Sequence, residues 1–207
     1  MAAIARIVRA VDVPVSADIE SAYGATAKEV AETLRAVADA GAAGVNIEDT
    51  VAETPDSLRP IAEQAERLAA AREGAGPALF INARIDLYLA GIGPEDTRFE
   101  AAVTRAAAYA EAGADGIFVP GLTDPDTIAA LAEAIELPLN VMAGPGAPAP
   151  SVLERLGVAR VSLGPGVAAV AYAAARKAAL ALFEADSYEA VEGGLDYGTM
   201  QGLLGTE

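Results

Sequence analysis

Two carboxylates follow a short apolar segment near the beginning of the chain. Residues 13–15, Val-Pro-Val, are typical of a buried strand, and Asp18 and Glu20 come soon after them on alternate positions. Because side chains alternate between the two faces of an extended strand, we expect these carboxylates to point to the same side. Like charges at such close range repel each other, and a divalent cation is a common reason for the pair. The alternative is a strand end that simply emerges into water.

A third carboxylate, Glu48, ends the next apolar segment, residues 44–47. If the two segments are neighbouring strands of a barrel, Asp18, Glu20 and Glu48 converge at one edge and form an oxygen-rich cluster suited to Mg²⁺ or Mn²⁺. The sequence therefore predicts a metal site made of these three residues. Asp49 is expected to face the barrel wall or to cap the loop that follows.

Arg84 and Asn140 each interrupt an otherwise apolar segment. A buried arginine is costly to desolvate and needs an anionic partner. For Arg84 two partners stay open: an internal salt bridge to Glu48 or Asp86, or a fork for the carboxylate or phosphoryl group of a substrate. Asn140, in the segment 138–142, is a weaker candidate for a substrate contact.

The composition excludes several kinds of chemistry. The 207 residues include no cysteine and no histidine, so thiolate nucleophiles, thiolate-held metals, imidazole ligands and Ser-His triads are impossible. The net charge of −16 argues against nucleic acid or an anionic membrane as a partner, while a small anionic substrate stays open. No apolar run is expected to approach the roughly 20 residues of a membrane span. A cytoplasmic location is the default expectation.

Predicted strands and helices alternate six times along the chain, which indicates an α/β fold with a parallel sheet. A single domain is expected over residues 1–207, with a helical tail at about 185–207. A doubly wound nucleotide-binding fold lacks support, because no glycine-rich phosphate loop follows the first strand. Polar residues instead gather at the carboxyl ends of many strands, as in a TIM-type β/α barrel. Such a barrel needs about eight strands, and the sequence offers six.

Five segments together resemble the isocitrate lyase/phosphoenolpyruvate mutase superfamily. They are PVSADIESAYG, AGAAGVNIED, INARIDLYL, AGADGIFVPG and PLNVM, in that order over nearly the whole chain. The resemblance implies a β/α barrel that binds Mg²⁺ and a small α-keto or α-hydroxy carboxylate. It further implies a carbon–carbon lyase, or a mutase or hydrolase acting on a C–P bond, that proceeds through an enolate-like intermediate.

The resemblance also implies roles for individual residues. Asp18 matches the direct metal ligand, Glu20 and Glu48 match the carboxylates that hold the metal's waters, and Arg84 matches the arginine that binds the substrate anion. The remaining matches concern substrate contacts: Asp56 and Ser57 on a mobile gating loop, and Asn140 at a substrate carboxylate.

Departures from the superfamily pattern leave a second interpretation open. The segment 50–60 lacks the cysteine and histidine of the isocitrate lyases, and the first two βα units of the barrel have no counterpart here. Met1 is expected to be an internal methionine taken as a start. The alternative to an enzyme is an inactive or partner-dependent barrel that acts as a binding module. The resemblance implies a homo-oligomer, a tetramer with exchanged C-terminal helices.

Overall fold

The computed structural model describes residues 1–51, 54–185 and 187–204, and it leaves the side chains of residues 54–56 and 204 undescribed. The chain divides into two compact units, Met1–Ser162 and Leu163–Glu207. The first unit carries the sheet and all the candidate site residues predicted from the sequence.

Six parallel strands form the sheet of the first unit, in the order β1-β2-β5-β6-β7-β8. Their bounds are β1 Ser16–Asp18, β2 Gly44–Glu48, β5 Phe80–Arg84, β6 Gly116–Val119, β7 Leu139–Met142 and β8 Arg160–Ser162. At the amino-terminal end of the two edge strands, Arg160 Nη2 donates to Ser16 Oγ at 3.1 Å. A contact between the first and last strands requires the sheet to curl round, which confirms the predicted α/β barrel type.

The helices of the first unit connect the strands and cover the outside of the sheet. They are α1 Ala2–Ala10, α2 Ala27–Asp39, α3 Ile61–Ala75, α4 Arg98–Glu111, α5 Pro125–Ala134 and α6 Pro150–Arg155. Alternate strand residues pack against them and are almost fully buried: Val45, Ile47, Ile81, Ala83, Ile117, Val119 and Val141. The opposite side chains of the strands face the inside of the curl, where the polar residues lie.

A capping box begins α2. Thr26 Oγ1 accepts a hydrogen bond from the Glu29 N–H, and Glu29 Oε2 accepts one from the Thr26 N–H. This capping box satisfies two backbone donors at the start of the helix. It fixes where the chain turns from the end of β1 into α2.

The segment 50–60 differs from the predicted loop. It contains two short antiparallel strands, β3 Thr50–Val51 and β4 Thr54–Leu58. β-Branched residues at Thr50, Val51 and Thr54 favour extended backbone and account for the hairpin. The hairpin lies directly after the end of β2, beside the candidate site.

The described residues of the second unit include two α-helices, α7 Gly166–Glu184 and α8 Tyr197–Leu204. With 19 residues and a mean hydropathy of 1.4, α7 is long and apolar enough to cross a membrane by length and composition alone. The expectation that no apolar run approaches that length is therefore wrong. Core helices of soluble proteins, which are mostly buried, pass the same test, whereas no residue of α7 is buried.

Candidate active site

Three of the predicted site residues meet at the carboxyl ends of adjacent strands. Asp18 ends β1, Glu48 ends β2 and Arg84 ends β5, and Glu48 and Arg84 are direct partners in the sheet register. Arg84 Nη1 lies 2.8 Å from Glu48 Oε2 and 3.6 Å from Asp18 Oδ2. The guanidinium therefore lies between the two carboxylates, in the position expected from the ends of a parallel sheet.

Asp86 completes the surroundings of Arg84. Arg84 Nε donates to Asp86 Oδ1 at 2.7 Å, and the Thr50 hydroxyl donates to the other oxygen of this buried carboxylate at 2.5 Å. The internal salt bridge that the sequence left open thus exists, with both Glu48 and Asp86. It leaves Nη2 of Arg84 without a hydrogen bond to any residue that the structure describes.

Glu20 does not lie on the strand face predicted for it. Strand β1 ends at Asp18, and Glu20 has a left-handed backbone with φ of 51°, so the alternation of an extended strand does not reach it. Its backbone nevertheless ties it to the site, because the Glu20 N–H donates to Asp18 Oδ1 at 3.1 Å and the Glu20 carbonyl accepts from the Glu48 N–H at 3.0 Å. The Glu20 side chain is exposed.

The site carries an excess of negative charge. Burial raises the pKa of the Glu48 carboxyl; Arg84 opposes this shift, while Asp86, Asp18 and Glu20 add to it. Burial alone would lower the pKa of Arg84, yet that pKa is raised because Asp86, Glu48 and Asp18 surround the guanidinium. Three carboxylates, those of Asp18, Glu48 and Asp86, thus pair with one cation, and Glu20 adds a further negative charge that acts on Glu48. A bound divalent cation would offset this excess.

The predicted convergence of Asp18, Glu20 and Glu48 into one carboxylate cluster is not found among the described residues. Within residues 1–51, 54–185 and 187–204, no three Asp or Glu side chains are grouped closely enough to hold a metal between them. Mg²⁺ does not require such a group, because it keeps several waters and binds proteins through one or two carboxylates. Carboxylate oxygens at Asp18, Glu20 and Glu48 are hard donors of this kind.

Asn140 lies inside the curl, away from the acidic cluster. It is buried, and its side chain and the Ser162 hydroxyl exchange hydrogen bonds of 3.0 and 3.1 Å. Asn82 Nδ2 similarly donates to Asn46 Oδ1 at 2.9 Å. In the described part of the chain, no hydrogen bond joins Asn140 to Arg84 or its carboxylates. The predicted substrate contact of Asn140 stays a prediction.

The two predicted gating residues lie on β4. Ser57 is exposed. The prediction for Asp56 concerns a side chain outside those that the structure describes. The roles proposed for both residues stay predictions.

Sequence reasoning missed a buried network behind the site. Asp49 is fully buried, and its carboxylate accepts hydrogen bonds from the Asp86 N–H at 3.0 Å, the Tyr109 hydroxyl at 2.8 Å and Arg105 Nη1 at 3.1 Å. Arg105 and Tyr109 are one turn apart on α4, and Arg105 Nη1 also donates to the Tyr109 oxygen. The signal in the sequence was an arginine and a tyrosine four residues apart on an alanine-rich helix.

Comparison with known proteins identifies the family. The phosphoenolpyruvate phosphomutase family matches residues 1–183. Oxaloacetate decarboxylase of Bradyrhizobium sp. is 36% identical over 146 residues, covering 68% of this chain and 48% of that protein. The 2-methylisocitrate lyase of Escherichia coli is 33% identical over 144 residues, covering 66% and 46%. The chain thus spans about half the length of the curated relatives it matches.

A solved structure extends this comparison to three dimensions. The structure of phosphonopyruvate hydrolase in complex with oxalate and Mg²⁺ superposes with a TM-score of 0.81 at 26% identity, covering 97% of this chain and 71% of that one. The match includes the curled parallel sheet whose strand ends carry Asp18, Glu48 and Arg84. The chain therefore belongs to the phosphoenolpyruvate phosphomutase family, within the isocitrate lyase/phosphoenolpyruvate mutase superfamily.

Proposed function

We propose that this chain carries the metal-binding part of a Mg²⁺-dependent carbon–carbon lyase that acts on a small α-keto or α-hydroxy carboxylate through an enolate-like intermediate. The observation that carries the proposal is Arg84, which is held between Asp18, Glu48 and Asp86 at the carboxyl ends of parallel strands. A fixed guanidinium beside surplus carboxylates can hold an anion and a cation next to each other.

The proposed site residues fall into a group that would bind the metal and a group that would bind the substrate. Asp18 would contact the metal directly, while Glu20 and Glu48 would hold its waters, and Mn²⁺ could replace Mg²⁺ in this donor set. When bound, Mg²⁺ supplies Lewis acidity that polarises the keto oxygen of the substrate and stabilises developing negative charge. The chain's own contribution to the substrate is Arg84, whose Nη2 is available for a carboxylate oxygen, with further contacts proposed for Asn140, Ser57 and Asp56.

Two features fix Arg84 before a substrate arrives. Asp86 holds Nε at 2.7 Å and Glu48 holds Nη1 at 2.8 Å, so the guanidinium plane has little freedom. A group that is already oriented loses less entropy when the substrate binds. Cleavage next to a keto carbon would then occur with the substrate's far carboxylate anchored at Arg84.

Calorimetry with Mn²⁺ and oxalate tests the metal site. Wild type should bind Mn²⁺ and, in its presence, oxalate, whereas Asp18→Ala should weaken Mn²⁺ binding by about tenfold or more. Asp39→Ala is the matched control, because Asp39 is an exposed carboxylate at the end of α2 and its removal changes the net charge equally. Equal Mn²⁺ affinity in wild type and Asp18→Ala would refute the assignment.

A panel of three substrates tests the reaction. Decarboxylation of oxaloacetate to pyruvate and CO₂, cleavage of 2-methylisocitrate to pyruvate and succinate, and hydrolysis of phosphonopyruvate to pyruvate and phosphate all release pyruvate. Lactate dehydrogenase and NADH report it. Turnover of either of the first two supports the carbon–carbon lyase, and turnover of phosphonopyruvate alone points to C–P chemistry. Metal and oxalate binding without any turnover would favour the alternative of a partner-dependent binding module.

By family resemblance we also propose that the protein is cytoplasmic and forms a homo-oligomer.

A further inference from the structure

Helix α3 contacts the backbone of both strand ends that carry the acidic site. Gln64 Nε2 donates to the Glu48 carbonyl at 3.1 Å. One turn further along the helix, Arg67 Nη2 donates to the carbonyls of Ser21 at 2.5 Å and Gly24 at 2.8 Å. The same face of one helix therefore holds the end of β2 and the loop that follows β1.

Arg67 is a buried cation that interacts with carbonyls instead of carboxylates. It is 4% exposed, and within the described part of the chain its side chain forms no ion pair with Asp or Glu. Burial lowers the pKa of Arg67, and the neighbouring Arg59 adds to this. Desolvating a guanidinium is costly, so its bonds to the Ser21 and Gly24 carbonyls must compensate.

The loop that Arg67 holds has unusual backbone geometry. Glu20, Ala22 and Tyr23 all have positive φ, at 51°, 66° and 53°. Such a conformation is strained in a residue other than glycine, and it persists only where the surroundings impose it. The two carbonyls that Arg67 binds flank Ala22 and Tyr23, so the guanidinium is placed to impose this geometry.

We propose that Arg67 is a positioning residue of the acidic site: it fixes the loop 20–24, and through it the Glu20 carboxylate and the end of β2. The link to β2 is the hydrogen bond from the Glu48 N–H to the Glu20 carbonyl at 3.0 Å. The effect on metal binding rests on the proposed function, whereas the effect on the loop does not.

Arg72 on the same helix provides a matched control. Its guanidinium also donates to backbone carbonyls, those of Gly76, Leu79 and Gly113, and pairs with Asp115. These contacts lie before the starts of β5 and β6, at the end of the sheet opposite to the acidic site. Replacing Arg72 therefore removes four hydrogen bonds, against the two of Arg67, without touching the loop 20–24.

Hydrogen–deuterium exchange on full-length Arg67→Gln, Arg67→Lys and Arg72→Gln tests the proposal. In Arg67→Gln the amides of residues 20–24 should exchange about tenfold faster or more, since a lost hydrogen bond to a charged group is worth about 1.5–3 kcal/mol. Arg67→Lys, which keeps one cationic donor group, should show a smaller increase. In Arg72→Gln this loop should exchange as in wild type, while the amides around Gly113 exchange faster.

A Mn²⁺ titration of the same variants provides the functional measurement. Arg67→Gln should bind Mn²⁺ about 10–100-fold more weakly, as is typical when residues that orient metal ligands are lost, with partial rescue in Arg67→Lys. Arg72→Gln should keep the wild-type affinity for Mn²⁺, although its melting temperature should fall by an amount similar to that of Arg67→Gln. Unchanged loop exchange in both Arg67 variants would overturn the proposal. If wild type binds no Mn²⁺, the proposed function fails, and the exchange data still decide the role of Arg67.

Discussion

Asp49 Oδ2 accepts a hydrogen bond from the Tyr109 hydroxyl at 2.8 Å, which joins the end of β2 to the last turn of α4 inside the protein core. The other oxygen of Asp49 accepts from the Asp86 N–H at 3.0 Å. Asp86 in turn holds Arg84. The position of Arg84 thus depends on a carboxylate and a phenol that lie behind the site.

Replacing Tyr109 with Phe should destabilise the protein at neutral pH. The change keeps the volume of the ring but leaves the buried Asp49 carboxylate with one donor fewer, at a cost of about 1–3 kcal/mol. Urea unfolding followed by circular dichroism measures the loss. Tyr172→Phe is the control, because that side chain is 77% exposed.

The difference in unfolding free energy between wild type and Tyr109→Phe should shrink at alkaline pH. Burial, with a further contribution from Asp49, raises the pKa of Tyr109 above the value of about 10 for an unfolded chain. The unfolded wild type therefore ionises this tyrosine above about pH 10 while the folded state does not, so wild type loses stability as the pH rises. The variant has no such group. A stability difference between wild type and variant that stays constant from neutral pH to about pH 10.5 would contradict the raised pKa of Tyr109.

Removing Arg84 should weaken the binding of oxalate without weakening the binding of Mn²⁺. In Arg84→Met the oxalate affinity should fall by about tenfold or more, because a charge-assisted hydrogen bond is worth about 1.5–3 kcal/mol. The Mn²⁺ affinity should be retained or rise, because Glu48, Asp86 and Asp18 lose the cation that now partly neutralises them. Calorimetry with each ligand measures both.

The control for Arg84→Met is Arg35→Met, which removes the same charge from an exposed position on α2. Arg84→Met should also have a lower melting temperature than wild type, because breaking a largely buried ion pair leaves the carboxylates of Glu48 and Asp86 unpaired. Oxalate affinity that is equal in the two variants would show that Arg84 serves only the internal salt bridge.

The gathering of Asp18, Glu48 and Arg84 was predictable because it depends only on sheet topology. Alternating strands and helices require a parallel sheet, and parallel strands bring their carboxyl ends to one edge. The face on which Glu20 lies was not predictable, because it depends on where β1 stops. With φ of 51° at Glu20, the backbone leaves the strand before that residue, and no spacing rule indicates this.

The contacts between elements that are distant in the sequence could not be predicted from the sequence pattern either. Asp49 and Tyr109 are 60 positions apart, and Arg67 reaches the carbonyl of Ser21 across 46. Helical periodicity shows that Tyr109 faces the core, but it does not show which polar group lies opposite. Such partners follow from how the helices sit on the curled sheet, which is a property of the packed structure.

Gly74→Ala should destabilise the protein, although alanine is the better helix former. A Cβ atom at Gly74 would lie 2.1 Å from the carbonyl oxygen of Ala31, so α3 and α2 must move apart. Alanine gains about 1 kcal/mol over glycine inside a helix, whereas overpacking against a rigid backbone costs about 1–3 kcal/mol, and at this distance the clash should dominate.

The comparison for Gly74→Ala is Gly144→Ala, where a Cβ atom would meet nothing within 4 Å. Thermal melting should show a lower midpoint for Gly74→Ala and little change for Gly144→Ala. Because α3 carries Gln64 and Arg67, a displaced α3 should also speed amide exchange in the loop 20–24. A Gly74→Ala variant with wild-type melting and wild-type exchange would show that α2 and α3 are not packed as closely as the Ala31 contact requires.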